Sequence, residues 1–366
     1  MGIPLRSGGT RLLKLYFPLC LCVVDMKGAR QLCGMYDTSP SNMKRPCISC
    51  NCDNQNLDNE NFICKPVLEK NMKDIILDGD TQLTALQSIS QHRNEYNAFF
   101  NINLGEWKYG IWGLCPSELL HQFYEGVVGY LLEEFSEGTL NDRYQVGLSR
   151  GVDMIVKACG NLGCSSRYPS GTFTMGITKF NKLKGVEKFG CMFYLCLFLQ
   201  TDLAKTKFFE GIEKVPQEME SSINDWKKLF ESCLYYHDWV MQKSFDKITF
   251  PRIKKSIKEL HRSIKALLQR NTKGIKHIPK IHEFFHVTRN ILWHGPMIGY
   301  DTRAPESNLR IHKRMSQNTQ RQLSTFNQQT AMRLFENTLI NQSVSHVESF
   351  APKFLIIAVL KPMNLQ

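Results

Sequence analysis

An α+β fold that is predominantly α-helical follows from three observations on this 366-residue chain. Between residues 66 and 293, apolar side chains recur at three- and four-residue spacing, the period of an amphipathic helix. Strand-like sequence is confined to one short apolar run near the start, LLKLYFPLCLCVV at 12–24. Hydrophobic residues make up 42% of the chain, ample for packed cores in one large or two ordinary domains.

In chain order, residues 12–24 read as a buried strand ended by Asp25 and the turn-forming Lys27-Gly28. Residues 38–61, rich in Asn, Asp, Ser and Cys, read as loop. Residues 66–100 read as helical, with Leu83, Leu86 and Ile89 on one face. The segment SELLHQFYEGVVGYLLEEF at 117–135 is an amphipathic helix with Ser117 as its N-cap. Further helices are expected near 142–158, 186–204, 220–245, 253–270 and 279–293, and another from Pro305 through LRIHKRM. The closing stretch, SFAPKFLIIAVLKPMNLQ, has no clear place in this pattern and reads either as a strand or as an out-of-frame end.

The formal net charge is +12, which favours a polyanionic partner because neutralising phosphates releases counterions. Thirteen cysteines, many in apolar segments such as PLCLCVV and GCMFYLCLFL, read as free thiols of a reducing compartment. The apolar runs around 19–24, 191–199 and 354–360 fall short of the roughly 20 residues that span a bilayer, so no membrane partner is expected.

Three groups of residues carry chemistry. The loop segment CISCNC at 47–52 places Cys47 and Cys50 at zinc-knuckle spacing. Two more ligands are needed, and Cys52, Cys64 and His92 are the candidates, Cys64 being best placed by loop length. The zinc would be structural. Glu118, His121 and Glu125 stand at i, i+3 and i+7 and share a helix face, where carboxylate and imidazole can pair. Finally, HEFFH at 282–286 matches HExxH, in which two histidines bind zinc and the Glu is general base. On that alternative reading, a zinc metallopeptidase would use His282, Glu283 and His286, with Glu306 twenty residues on as third ligand. Against it, the helix should break at His294-Gly295-Pro296, and Arg289 and Leu292 stand where a Gly and a third His would be required.

Taken in order, FPLCLCVVDMKGARQLCGMYDTSPSNMKRPCISC at 17–50, PSELLHQFYEGV at 116–127 and HIPKIHEFFHVTRNILWHGPMIGYDTRAPESN at 277–308 resemble the catalytic part of CACTA/Plavaka-type eukaryotic cut-and-paste DNA transposases. The resemblance implies a partial ribonuclease H-like core interrupted by a large helical insertion. It implies residues 1–65 as the strand region with a zinc-knuckle loop and 66–295 as the insertion. Residues 296–335 would be the C-terminal catalytic-helix region, with 336–366 a tail of unassigned structure. From local sequence alone Asp25 is a strand-end residue at a turn; the resemblance makes it the second catalytic acid and Glu306 the third. Both would hold magnesium for two-metal phosphoryl transfer. Glu118 and His121 would stand beside that site, Glu118 where the family has Asp. Only 24 residues precede Asp25 and none is acidic, so the expectation is a catalytically incomplete, transposase-derived chain.

The partner implied is DNA and the location nuclear, with self-association left open. Arg303, Arg310, Lys313 and Arg314 flank Glu306 and would contact the DNA backbone. The basic run KKSIKELHRSIK at 254–265 reads instead as a solvated helix face. A domesticated DNA-binding or interaction protein is the remaining alternative.

Overall fold

The computed structural model describes residues 26–35, 44–65, 115–136, 142–161, 182–210, 217–268 and 279–302, with the isolated positions 328–329, 331–332, 335–336 and 339. The chain divides into two compact units, residues 1–302 and 303–366. The described part is predominantly α-helical; Met35 makes a lone bridge, and no ribonuclease H-like sheet is present among the described residues. The strand expected at 12–24, the helix at 66–100, the helix from Pro305 and the tail lie outside the described residues.

The first described element is α1 (Met26–Leu32), followed by the Cys-rich loop 44–65. The helix expected at 117–135 begins as a π-helix, Leu120–Val128, and continues as α2 (Gly129–Glu134). Then come α3 (Asp142–Asn161), α4 (Gly185–Gln200) and α5 (Asp202–Phe208). They are followed by α6 (Gln217–Val240), α7 (Phe250–Leu268), α8 (Pro279–His282) and α9 (Phe284–His294). No described helix is long and apolar enough to cross a membrane.

Packing follows from the apolar patterns. The sequence of α4, GVEKFGCMFYLCLFLQ, is apolar nearly all round and therefore occupies the middle, against the π-helix, α3, α5 and α6. Helix α6 buries Trp226, Leu229, Phe230, Cys233, Tyr236 and Val240 along one stripe. Helix α7 buries Ile257, Leu260, Ile264 and Leu267 and packs on both α6 and α9. The short α8 returns to the π-helix, so the contacts π-helix, α4, α6, α7, α9, α8 close a ring around one apolar core. Met297 and Tyr300 belong to that same core.

That return of α8 explains a glycine. A Cβ on Gly126 would lie 2.5 Å from Lys280 Cδ and 2.8 Å from the His121 carbonyl oxygen. The stem of Lys280 crosses the π-helix where no side chain stands in the way. At the far end, α9 stops at Gly295, whose φ of 83° lies in the left-handed region that glycine adopts without strain. The break expected at His294-Gly295-Pro296 is present.

Candidate metal centre

The HEFFH segment does not form one regular helix. Between α8 and α9 the chain makes a tighter turn at Glu283, with the His286 N–H donating to the Glu283 carbonyl at 3.0 Å. His282 and His286 thereby present their rings to one point, Nε2 to Nε2 at 3.1 Å. The Cys-rich loop arrives at the same point: Cys47 Sγ lies 3.3 Å from His286 Nε2, and Cys50 Sγ lies 3.4 Å from His282 Nε2. The four donor atoms all fall within 4.8 Å of one another, and all four residues are buried.

This group fits a tetrahedral metal ion. Zinc–sulfur and zinc–nitrogen bond lengths place tetrahedral donors about 3.6 Å apart for a thiolate and an imidazole, and about 3.3 Å apart for two imidazoles. The distances found are within a few tenths of an ångström of these. The tautomer also suits: His282 Nδ1 donates to the Leu57 carbonyl at 3.0 Å, which leaves Nε2 to face the centre. Each sulfur accepts a backbone N–H from two residues on, Ser49 to Cys47 and Cys52 to Cys50, both at 3.3 Å. Such bonds favour thiolates.

The two thiols are not equivalent. Burial alone would raise Cys47, but its hydrogen bond to Cys50 and the positive charges of His286 and His282 hold it well below the usual thiol value. Hydrogen bonds from Cys47, Cys52 and Cys64, together with burial, push Cys50 far up. Burial would lower His282, yet the Cys47 charge beside it raises it well above the ordinary imidazole value. A divalent cation supplies the charge that lets both sulfurs ionise, and its binding releases protons.

Around the four donors lies a polar shell. Glu283, fully buried, sets Oε1 3.3 Å from Cys47 Sγ, while Oε2 accepts from Ser49 Oγ at 3.2 Å and from Ser117 Oγ. Burial and the Cys47 charge push its carboxyl up to about 7, against His286, Ser117 and His282. Arg289 donates to the Ser49 carbonyl at 2.7 Å, and its guanidinium stacks over Trp293 at 4.7 Å. Arg30 of α1 donates to the Pro46 carbonyl at 3.0 Å. The loop is further tied to α7 by Arg262 on Glu60, at 2.6 and 2.7 Å, and by Lys265 on Asp58 at 2.9 Å. Two cations of the basic run expected to be merely solvated thus hold the loop in place; Lys254 and Lys255 remain exposed.

Of the expected zinc candidates, Cys47 and Cys50 are in the four-donor group; Cys52 and Cys64 are not. Cys52 Sγ donates to the neighbouring Asp53 carbonyl at 3.3 Å and so turns away from the other donors. Cys64 packs against the flank of the thiol cluster. His92 lies outside the described residues. Their places are taken by His282 and His286, which read in sequence as a separate zinc-peptidase helix. Joined to the knuckle they complete C-x₂-C with H-x₃-H, and that joint spacing was the available signal.

Next to the centre stands the second constellation. Glu118, buried, accepts the Leu120 and His121 N–H groups at 2.7 Å each, His121 Nδ1 at 2.6 Å and Thr302 Oγ1 at 2.7 Å. Burial would raise its carboxyl, but these bonds, His121 foremost, bring it below the ordinary value. His121 Nε2 lies 4.0 Å from Glu125, so the shared face expected for Glu118, His121 and Glu125 is present. The N-cap expected at Ser117 is not: the Glu118 carboxylate caps the helix, and the Ser117 hydroxyl is taken by Glu283. A cavity of about 20 Å³, room for a single water, lies between Met26, Ala29, Ile48, Gln122 and Lys280 beside this pair.

The proposed acids Asp25 and Glu306, and the proposed DNA contacts Arg303, Arg310, Lys313 and Arg314, lie outside the described residues. No protein-family model matches the chain, and no curated protein or solved structure matches it.

Proposed function

We propose that this chain is a transposase-derived, nuclear DNA-binding protein whose motif segments are assembled on a structural zinc ion. One observation carries the reading. The three stretches that resemble the transposase family, far apart in sequence, meet at one buried place. Cys47 and Cys50 of the first face His282 and His286 of the third, and Ser117 of the second bonds Glu283 of the third. A shared catalytic ancestry calls for such convergence, because residues serving one reaction must be brought together. On this reading the zinc orders the loop after Asp25 and the helix before Glu306, and those acids would hold magnesium.

The peptidase alternative finds no support in this arrangement. Four protein donors fill a tetrahedral ion, leaving no position for the water that a hydrolytic zinc must carry. The Glu283 carboxylate is engaged by two serines instead of facing an open position.

Binding of the zinc-loaded chain to duplex DNA, measured across a salt series, tests the proposal. The expected result is measurable affinity at low salt that falls linearly on a log–log plot. Absence of binding at low salt would overturn it. Casein or peptide cleavage that Glu283→Gln abolishes would establish the peptidase in its place.

A further inference from the structure

Six sulfur and nitrogen donors crowd a centre that needs four. Beyond Cys47, Cys50, His282 and His286, Cys52 is fully buried and Cys64 is half-buried. Cys64 packs against the cluster of Cys47, Cys50, Cys52 and Leu57, and its Sγ donates to the Phe62 carbonyl at 3.9 Å. Its other side lines a groove of about 290 Å³ together with Phe62, Ile63, Lys254, Lys258 and Phe285. Glu60 also lines this groove, but it is neutralised by the bidentate Arg262. Cys64 is therefore the thiol of this cluster that is partly open to solvent while packing against the buried cysteines. The walls of its groove mix apolar side chains with Asn61, Thr288 and two lysines.

We propose that Cys64 is a thiol–disulfide exchange site for a small acidic disulfide of the oxidised-glutathione class, and that its reaction expels the metal. The inference rests on the zinc reading above. In the first step the Cys64 thiolate attacks one sulfur of the small disulfide; a Cys64 mixed disulfide forms and one small thiolate leaves. In the second, the Cys50 sulfur attacks the Cys64 sulfur and displaces the second small thiolate. The two electrons lost by Cys50 and Cys64 reduce the small disulfide to two thiols. Cys50 can no longer ligate once its sulfur is in a disulfide, and three remaining donors hold the ion far less tightly. Lys254 and Lys258 favour a carboxylate-bearing disulfide over a neutral one. Nothing in the groove selects peroxide, which needs no such room.

The full chain, loaded with one equivalent of zinc, is treated with oxidised glutathione while a chromophoric chelator reports release. The expected result is zinc release accompanied by a Cys50–Cys64 disulfide, found by peptide mass spectrometry after alkylation. Cys64→Ser should bind one equivalent of zinc and release it at least tenfold more slowly, while Cys52→Ser should match the wild type. Lys254→Gln with Lys258→Gln should slow the reaction severalfold with oxidised glutathione and leave that with hydroxyethyl disulfide unchanged. Failure of the wild type to bind zinc would overturn the metal reading itself. Zinc binding followed by wild-type release from Cys64→Ser, or a Cys47–Cys50 disulfide as the product, would overturn the exchange site alone.

Discussion

Cys47 and His286 stand 239 positions apart in the chain, and their Sγ and Nε2 atoms lie 3.3 Å apart. Two imidazole Nε2 atoms lie 3.1 Å apart with two sulfurs beside them, a group of four donors that could hold a metal ion. The consequences of such a site can be measured.

The chain should bind one equivalent of zinc. Cys47→Ser and His286→Ala should each abolish stoichiometric binding and lower the melting temperature by about 10 °C, as expected for loss of a site worth several kcal/mol. Cys52→Ser should retain the full equivalent. Atomic absorption on purified protein and thermal melts with and without chelator supply both readings.

Replacing Gly126 should be costly despite its helical setting. In Gly126→Ala the new methyl meets Lys280 Cδ and the His121 carbonyl, and overpacking of this kind costs about 1–3 kcal/mol. Adding Lys280→Ala should recover only part of the loss, because the carbonyl clash remains. Urea melts of the two single variants and the double variant give the coupling.

Glu118 should matter more to stability than its place on a polar helix face suggests. Glu118→Ala leaves two helix N–H groups, His121 and Thr302 without their acceptor. A loss of about 2–4 kcal/mol follows from the missing cap and the buried hydrogen bonds removed. Thr302→Val removes a single donor and should cost about 1 kcal/mol. Chemical denaturation of both variants checks the order.

Acid should weaken the fold through His261. This residue occupies the apolar stripe of α7, packs on Phe285 and has neither ring nitrogen hydrogen-bonded. Burial, then the charges of Lys265 and His282, pushes its imidazole down to about 4. Because the folded value lies below the unfolded one, the neutral ring's contribution is complete above about pH 6.5. It is lost as pH falls toward 4, where the unfolded chain takes up a proton that the folded chain refuses. The full span amounts to about 3 kcal/mol. His261→Phe should remove this slope, so that its stability advantage over wild type grows as pH drops from 7 to 4.5. Parallel denaturant melts across that range test the sign.

Much of the fold was legible in the sequence. Helix α6 was expected at 220–245 and runs Gln217–Val240; α7 was expected at 253–270 and runs Phe250–Leu268. Their apolar stripes carry the period without help from distant residues. The π-helical turn at Leu120–Val128 was not legible, since it is tied to the close passage of Lys280 over Gly126. Likewise the centre was legible only in halves. The Cys47–Cys50 spacing announced a knuckle and the His282–His286 spacing announced a metal-binding helix, but proximity along the loop favoured Cys52 and Cys64 as partners. Proximity misled because Cys52 is drawn to the Asp53 carbonyl, while tertiary packing carries α8 and α9 to the loop. The dual use of Arg262 and Lys265 was hidden for the same reason: Glu60 and Asp58 are neighbours only once the loop has docked.

The 239-residue span between Cys47 and His286 has a kinetic meaning as well as a structural one. A cross-link closing so long a loop removes about 5 kcal/mol of entropy from the unfolded chain. That benefit is available only after the intervening helices have condensed, since distant pairing carries its entropic cost before any reward. The helical ring should therefore form without metal, offering His282 and His286 as a half-built socket. Capture of the ion together with Cys47 and Cys50 then becomes the last latch. Zinc supply would govern when the loop of Cys47 and Cys50 is fastened to His282 and His286, and the helical body would stand whether or not it arrives.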